Sequence, residues 1–250
     1  MNNLVAQQLL DLNRKFYNTF ASSFDDSRRT PQPGFEETLG HLPKPPLTVL
    51  DVGCGNGRYG RFLGQHGRLG RYVGVDFSIG LLGHANDLEK LTQWNPHGQV
   101  VEIAFQEADM SQVGFLTELG SFDLVVCLSA MQHIPQRIRR AQLLHEMGQH
   151  LSKDGRLLLG NWQFLASERQ RRKVLPWEEA DLTEGDVEKG DYLLSWNRGG
   201  YGERYVCLID EAETAYLADM AGLQIVHQFR ADGREGNLNL YTRFKKRNQL

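Results

Sequence analysis

Asp51-Val52-Gly53-Cys54-Gly55-Asn56-Gly57-Arg58-Tyr59 is the stretch on which the reading of the chain turns. An apolar run, Leu47–Val52, leads into it, and a helical stretch over Tyr59–His66 leaves it. Three glycines at spacing two let a backbone turn sharply and lie against a flat ligand without Cβ clashes. Working outward, RYVGVDF, VVEIAFQEAD, FDLVVCLS and GRLLLGNW read as four further strands. Helical stretches over Gly80–Trp94 and Arg137–Leu151 lie between them. Short apolar strands alternating with helices predict an α/β fold with a parallel, Rossmann-like sheet and helices on both faces.

The acids around the loop narrow the ligand. Asp76 ends the second strand, where a carboxylate can take hydrogen bonds from both hydroxyls of a ribose. Asp109 ends the third, where it can meet an adenine amino group with Met110 beside the ring. Gly55, Gly57 and Gly60 also fit the dinucleotide pattern G-x-G-x-x-G. That pattern has no use for Asp51, and a pyrophosphate wants backbone amides and a helix N-terminus, not nearby carboxylates. A cationic sulfonium with an ammonium tail tolerates them. The reading of the loop is therefore S-adenosyl-L-methionine, with a dinucleotide, or a plain glycine turn whose acids cap helices, as the rivals.

Outside this core the signals are weaker. Residues 2–20 read as an amphipathic helix with Leu4, Leu9, Leu12, Phe16 and Phe20 mostly on one face. A short helix over 35–42 follows, stopped by Pro43, Pro45 and Pro46. Residues 162–205 show no clear strand and carry a basic run, Arg169 to Lys173, then an acidic one from Glu178 to Asp191. A helix over Glu211–Met220 and strands near Leu223–Phe229 and Leu238–Phe244 close the chain. This predicts a helical cap over 1–46 and one domain over 47–250 with an insertion at about 162–205.

Composition bounds the class. With 28 Lys+Arg against 31 Asp+Glu the net charge is -3, so no global basic charge advertises nucleic acid. Three scattered cysteines form no CxxC pair, and the histidines show no ligand spacing, so neither a disulfide framework nor a metal is expected. No apolar run is long enough to span a membrane and no signal-peptide core is present, which leads to the expectation of a cytoplasmic protein.

LDVGCGNG, GVDFS, QEADM and FDLVVCLSAMQHI together resemble the four motifs of the class I S-adenosylmethionine-dependent methyltransferases, over Leu47 to about Trp162. The resemblance implies a seven-stranded sheet with strand seven antiparallel beside strand six. It implies cofactor contacts from Asp51, Gly53, Gly55, Gly57, Asp76, Asp109, Met110 and the backbone of Leu128. More loosely, FYNTFASSFDDSRRTPQP, the segment from Gly190 to Arg198 and the terminal NLNLYTRFKK are similar to tRNA methyltransferases that esterify carboxymethylated wobble uridines. Ser195 stands where that family has proline, and Cys207-Leu208 where it is usually aromatic or His-containing. The narrower resemblance implies tRNA as acceptor. The alternatives are a small-molecule O- or N-methyltransferase and a non-catalytic cofactor-binding module. Whether a small activating partner protein is needed stays open.

Methyl transfer from a sulfonium is an in-line displacement, and a base is needed only if the acceptor carries a proton. A carboxylate, with a pKa of about 4, does not; it calls instead for arginine in a bidentate pose. His133, just past the fourth strand, is the candidate orienter or base, with a structural histidine as the plain alternative. Arg28 is the second candidate catalytic residue, reaching the cofactor carboxylate or the acceptor. Tyr17 and Phe20 are candidates to close over the cofactor, and Trp196, Asn197, Arg198 and Arg204 to line the acceptor pocket. Basic groups at Arg137, Arg139 and Arg140, at Arg169 to Lys173 and at Arg243 to Arg247 would follow an RNA backbone if they share a face.

Overall fold

The structure is a computed structural model that describes residues 1–28, 30–86 and 101–247. Strands β1 (Leu47–Val52), β2 (Leu69–Asp76), β3 (Glu102–Glu107), β4 (Phe122–Leu128), β5 (Leu151–Trp162), β9 (Leu223–Ala231) and β10 (Asn239–Lys246) form one sheet in the order β3-β2-β1-β4-β5-β10-β9. The first five are parallel, and β10 runs antiparallel to both β5 and β9. This is the seven-stranded α/β sheet expected. Strands β2 and β3 are added on one side of β1 and β4 and β5 on the other, so the strand order switches between β1 and β4, and the carboxyl ends of these two parallel strands open the crevice where such sheets bind ligands.

The central strands are buried on both faces. Val49, Leu124, Val126 and Leu158 pack with Phe62 and Leu63 of α3 (Arg58–Gln65) on one side. Leu50, Val125, Cys127 and Leu157 pack with Leu144 and Met147 of α5 (Arg137–Gln149) on the other. Alternate residues serve alternate faces, as the period of two requires. The order of elements is completed by α1 (Asn3–Asp26), α2 (Pro33–Leu39), α4 (Ile79–Ala85), α6 (Glu168–Arg171) and α7 (Glu211–Met220). The expected helix over Gly80–Trp94 is described only as far as Asn86; the rest, and Val100 of the third strand, lie outside the described residues.

Two expectations change. The first helix runs on to Asp26, with non-helical backbone at Phe20, and buries Val5, Leu9 and Leu10 in the central core, while Leu4, expected on the same face, is exposed. The insertion does contain strands. β6 (Val174–Leu175), β7 (Asp191–Trp196) and β8 (Gly202–Cys207) form a separate antiparallel sheet. Its strands are hard to read because β6 is two residues long, β7 begins on a buried acid and β8 carries a buried arginine. Their apolar residues still serve the core, with Leu193 and Tyr205 in the central cluster. α1 packs along β8, so the first helix and the insertion together roof the carboxyl ends of β1 and β4.

Candidate active site

Beneath this roof lies a cavity of about 430 Å³. Its floor is the glycine loop. Gly53, Gly55 and Gly57 all hold positive φ, at 71°, 56° and 70°. The Gly53 and Cys54 amides donate to the Val75 carbonyl at 2.8 and 3.1 Å, tying the loop to the end of β2. The Gly55 amide donates to Asp76 Oδ2 at 2.9 Å, and the Ser78 amide to Oδ1 at 2.9 Å. Burial pushes the Asp76 carboxyl up to about 6 against the pull of these amides.

Leu128 and Ser129, at the end of β4 beside β1, lie on the cavity wall, as does Met110. Asp109 stands two residues past the end of β3 rather than at it. It accepts from the Ser111 amide at 2.8 Å and is paired with Arg14 of α1. Burial opposes its charge, but Ser111 and Arg14 hold it below the usual carboxylate range.

Above the loop, α1 and β8 build a chain of hydrogen bonds. The Tyr17 hydroxyl lies 2.7 Å from His133 Nε2, and His133 Nδ1 lies 2.9 Å from the Tyr205 carbonyl. A carbonyl only accepts, so Nδ1 carries the proton and Nε2 accepts from Tyr17. Burial, then the positive charge of Arg204, pushes His133 down to about 3. The imidazole is therefore neutral, its one lone pair is occupied, and it is a weak base.

Asn13 fixes this arrangement. Its Nδ2 donates to the Tyr205 carbonyl at 3.1 Å and to the His133 carbonyl at 3.3 Å, and its Oδ1 accepts from the Tyr205 amide at 2.8 Å. One side chain thus joins α1, β8 and the turn after β4. Replacing Asn13 by Ala strips partners from buried backbone groups, and the unfolding free energy is expected to fall by about 2–4 kcal/mol. Urea denaturation measures this; a loss below about 1 kcal/mol would show that the contacts are dispensable.

Arg204 alternates with Tyr205 along β8 and points to the cavity. It is 4% exposed. Its guanidinium lies 5.3 Å from the Phe16 ring centroid, 5.0 Å from Trp162 and 5.3 Å from Trp196. It stands beside the Tyr17 hydroxyl, and its Nε has no hydrogen-bond partner. Among the described residues no carboxylate pairs with it. Arg28 also lines the cavity, 4.7 Å from the Phe24 ring, donating to Ser27 Oγ at 3.0 Å. Burial, then Arg204, lowers its pKa. The acceptor side of the cavity is thus cationic.

The cavity collects Tyr17, Arg28, Gly53, Gly55, Asp76, Asp109, Met110, Leu128, His133 and Arg204 on its wall. Six other expected residues fall outside it. Asp51 is buried beneath the loop, where the Tyr72 hydroxyl donates to it at 2.7 Å and burial pushes it up to about 7. Gly57 caps α3. Trp196 touches Arg204 from behind, its indole N–H donating to the Arg198 carbonyl at 2.6 Å, while Asn197 and Arg198 are exposed. Phe20 packs against Phe16 rather than on the cavity wall. The basic groups do not make one tract. Arg140 is buried against Glu188, Asp191 and Glu213, Arg137 pairs with Glu213, and Arg247 with Asp219. Only the run at Arg169 reaches the cavity mouth. Asn13 and Arg14 went unread in the sequence, although a polar Asn13 within the apolar stripe Leu9, Leu10, Phe16 was a visible signal.

The cavity fits S-adenosylmethionine. A Cβ added to Gly55 would meet nothing within 4 Å and would project into the space above the loop. The backbone there is bare to a ligand, with a ribose-type acid beside it. Residues 49–155 match the family model described as a methyltransferase domain. Residues 49–155 thus carry a methyltransferase domain, and the fold of the chain is that of the class I S-adenosylmethionine-dependent methyltransferases. It is 28% identical over 212 residues to a protein of Encephalitozoon cuniculi named as a methyltransferase, covering 85% of this chain and 87% of that one. It is 27% identical over 173 residues to the tRNA (carboxymethyluridine(34)-5-O)-methyltransferase of Xenopus tropicalis, covering 68% of this chain and 24% of that longer protein. In fold it is similar to a methyltransferase structure from Methanosarcina mazei, with a TM-score of 0.65 at 19% identity, over 87% of this chain and 98% of that one.

Among the described residues no helix is long and apolar enough to cross a membrane.

Proposed function

We propose that the enzyme methylates a carboxylate, and that this carboxylate is the carboxymethyl group of a wobble uridine in tRNA. The observation that carries the reading is Arg204, a buried guanidinium on the cavity wall that no carboxylate among the described residues pairs with. A buried cation without a counter-charge is unfavourable, and an anionic acceptor supplies the missing charge. When bound, S-adenosylmethionine supplies a methyl group on a cationic sulfur. Asp76 would hold its ribose hydroxyls, and the backbone at Gly53 and Gly55 would lie along it. Asp109 and Met110 would flank its adenine.

The other residues suit a carboxylate better than a phenol or an amine. Such a nucleophile needs orientation rather than a base. His133 is a poor base, and its position in the chain from Arg204 through Tyr17 to Tyr205 makes it an orienting group. Arg28 adds a second cation near the acceptor. The exposed Arg169, Arg171 and Arg172, the first of them on the cavity wall, suit a phosphate backbone, and the similarity to the Xenopus tropicalis enzyme supports the wobble uridine.

A pH dependence follows. At saturating cofactor and acceptor, kcat is expected to stay flat from about pH 6.5 to 9, because neither the acceptor nor His133 changes protonation there. Cofactor affinity is expected to weaken as pH falls through about 6, where Asp76 takes up a proton and loses acceptor strength. A limb in kcat near 6.5 would show a titrating histidine base instead.

The acceptor is tested by supplying radiolabelled S-adenosylmethionine with bulk tRNA lacking the final methyl, and in parallel with a small-molecule extract. Label in the RNA supports the reading. Label confined to the extract makes the enzyme a metabolite methyltransferase.

A further inference from the structure

Several arginines away from the cavity hold a carboxylate. Arg71 lies 3.5 Å from Glu102, Arg230 2.7 Å from Glu211 and Arg247 2.7 Å from Asp219. Around Arg204 the pattern is different. Arg28 and Arg169 on the cavity wall, and Lys173 and Arg198 beside them, have no carboxylate within ion-pair distance among the described residues. Asp25 of α1 is turned elsewhere, accepting from Asn56 at 2.8 Å and lying 3.9 Å from His84. Arg198 and Arg169 are exposed, and Arg28 and Lys173 are half-buried.

The fold brings these cations together from separate segments. The turn from β7 to β8 carries Gly199 and Gly200 at φ 73° and 132°. A Cβ on Gly199 would come 2.9 Å from the Ser23 Cβ, and one on Gly200 3.1 Å from the Phe20 ring, so the turn lies directly on α1. It carries Arg198 to the end of the helix, just before Arg28. The Trp196 indole N–H donates to the Arg198 carbonyl at 2.6 Å, and its ring lies 6.3 Å from that of Phe24 and 5.3 Å from the Arg204 guanidinium. Arg28 sits 4.7 Å from the same Phe24 ring. Lys173 joins through β7, its carbonyl accepting from the Ser195 amide at 2.9 Å. Burial, then Arg204, Arg169 and Arg28, lowers the pKa of Lys173; burial, then Arg204 and Arg198, lowers that of Arg28. Like charges crowded this way repel, and an anion among them relieves the repulsion.

A carboxylate at Arg204 uses one of these cations and leaves the others for a second anion. A nucleotide supplies one in its phosphate. In a pyrimidine nucleotide with the usual anti base, the C5 and C6 edge faces the 5′-phosphate, so a C5 carboxymethyl group and that phosphate lie on the same side. We propose that Arg28, Lys173 and Arg198 bind the 5′-phosphate of the acceptor nucleotide while Arg204 takes its carboxylate, so that the site is built for a nucleotide and not for a free nucleoside. This rests on the proposed tRNA reading. Hydrogen bonds to a charged group of this kind change affinity by about 10- to 100-fold.

The test uses the full chain and three acceptors: 5-carboxymethyluridine as the nucleoside, its 5′-monophosphate, and an anticodon stem-loop carrying it at the wobble position. The wild-type enzyme is expected to favour the monophosphate over the nucleoside by about 10- to 100-fold in kcat/KM, chiefly through KM. The double variant Lys173→Met, Arg198→Met should bring that ratio to within about threefold of one, with cofactor affinity kept as the sign of a folded site. Lys173→Arg keeps the charge and should keep the preference. If the double variant does not bind cofactor, the wild-type ratio decides. If only the stem-loop is labelled, the double variant decides on it: KM should rise at least about tenfold, and the slope of log kcat/KM against log salt should flatten by about one. Equal rates on nucleoside and monophosphate by the wild type, or an unchanged preference and an unchanged stem-loop KM in the double variant, would overturn the phosphate site and leave the tRNA reading standing. Labelling of none of the three by the wild type would overturn both.

Discussion

Arg204→Met is expected to abolish most acceptor methylation while leaving the protein at least as stable as before. Met fills the slot between Phe16, Trp162 and Trp196 without the charge. Truncating one partner of a buried charge pair costs about 2–5 kcal/mol, so kcat/KM for the acceptor should fall between about 30-fold and a few thousand-fold. The unfolding free energy is expected unchanged or higher by up to about 2 kcal/mol, because an uncompensated buried charge is removed. Cofactor affinity should stay within about twofold, since Arg204 stands on the roof and the glycine loop forms the floor. Arg204→Lys keeps the charge without the planar fork and should lose roughly tenfold. Steady-state kinetics on the acceptor, isothermal titration of the cofactor and thermal denaturation separate these effects. Full activity in Arg204→Met would remove the reason for a carboxylate acceptor.

The second large effect is at the floor. Gly55→Val places a branched side chain where the glycine Cβ position opens on empty space within 4 Å. The chain can therefore still fold, apart from the strain of a branched residue at φ 56°, about 1–3 kcal/mol. The ligand cannot then approach the backbone, and cofactor affinity is expected to drop more than about 100-fold. Gly53→Ala makes the contrast. Its Cβ would come within 2.4 Å of the Ala130 Cβ and 2.8 Å of Met110 Cε, so the damage there falls on folding as well. Normal cofactor binding by Gly55→Val would mean that the loop does not hold the cofactor.

Much of this was legible in the residues because the features are local. The run Leu47–Val52, the glycines after it and the acid at Asp76 each follow from a strand that must end, turn and open a helix at one point. β1 keeps the bounds read from the sequence, and so does the helix Glu211–Met220, which Asp210 caps through the Glu213 amide. The sheet in the insertion was not legible. Its strands are held by packing on α1, far away in sequence, and buried acids and arginines interrupt their apolar pattern. Asp51 shows the same limit in the site. The family motif places it among the cofactor contacts, yet the Tyr72 hydroxyl claims it below the loop. Arg140 looked like part of a basic surface because its three acidic partners come from the insertion and α7.

The most direct measurement is the chemical nature of the bond formed. A stem-loop carrying 5-carboxymethyluridine is incubated with the enzyme and methyl-labelled S-adenosylmethionine, then treated with mild alkali. If Arg204 orients a carboxylate, the label enters as a methyl ester and leaves as volatile methanol. Label that enters the RNA and survives alkali would place the methyl on nitrogen, carbon or an ether oxygen, and would contradict a carboxylate acceptor.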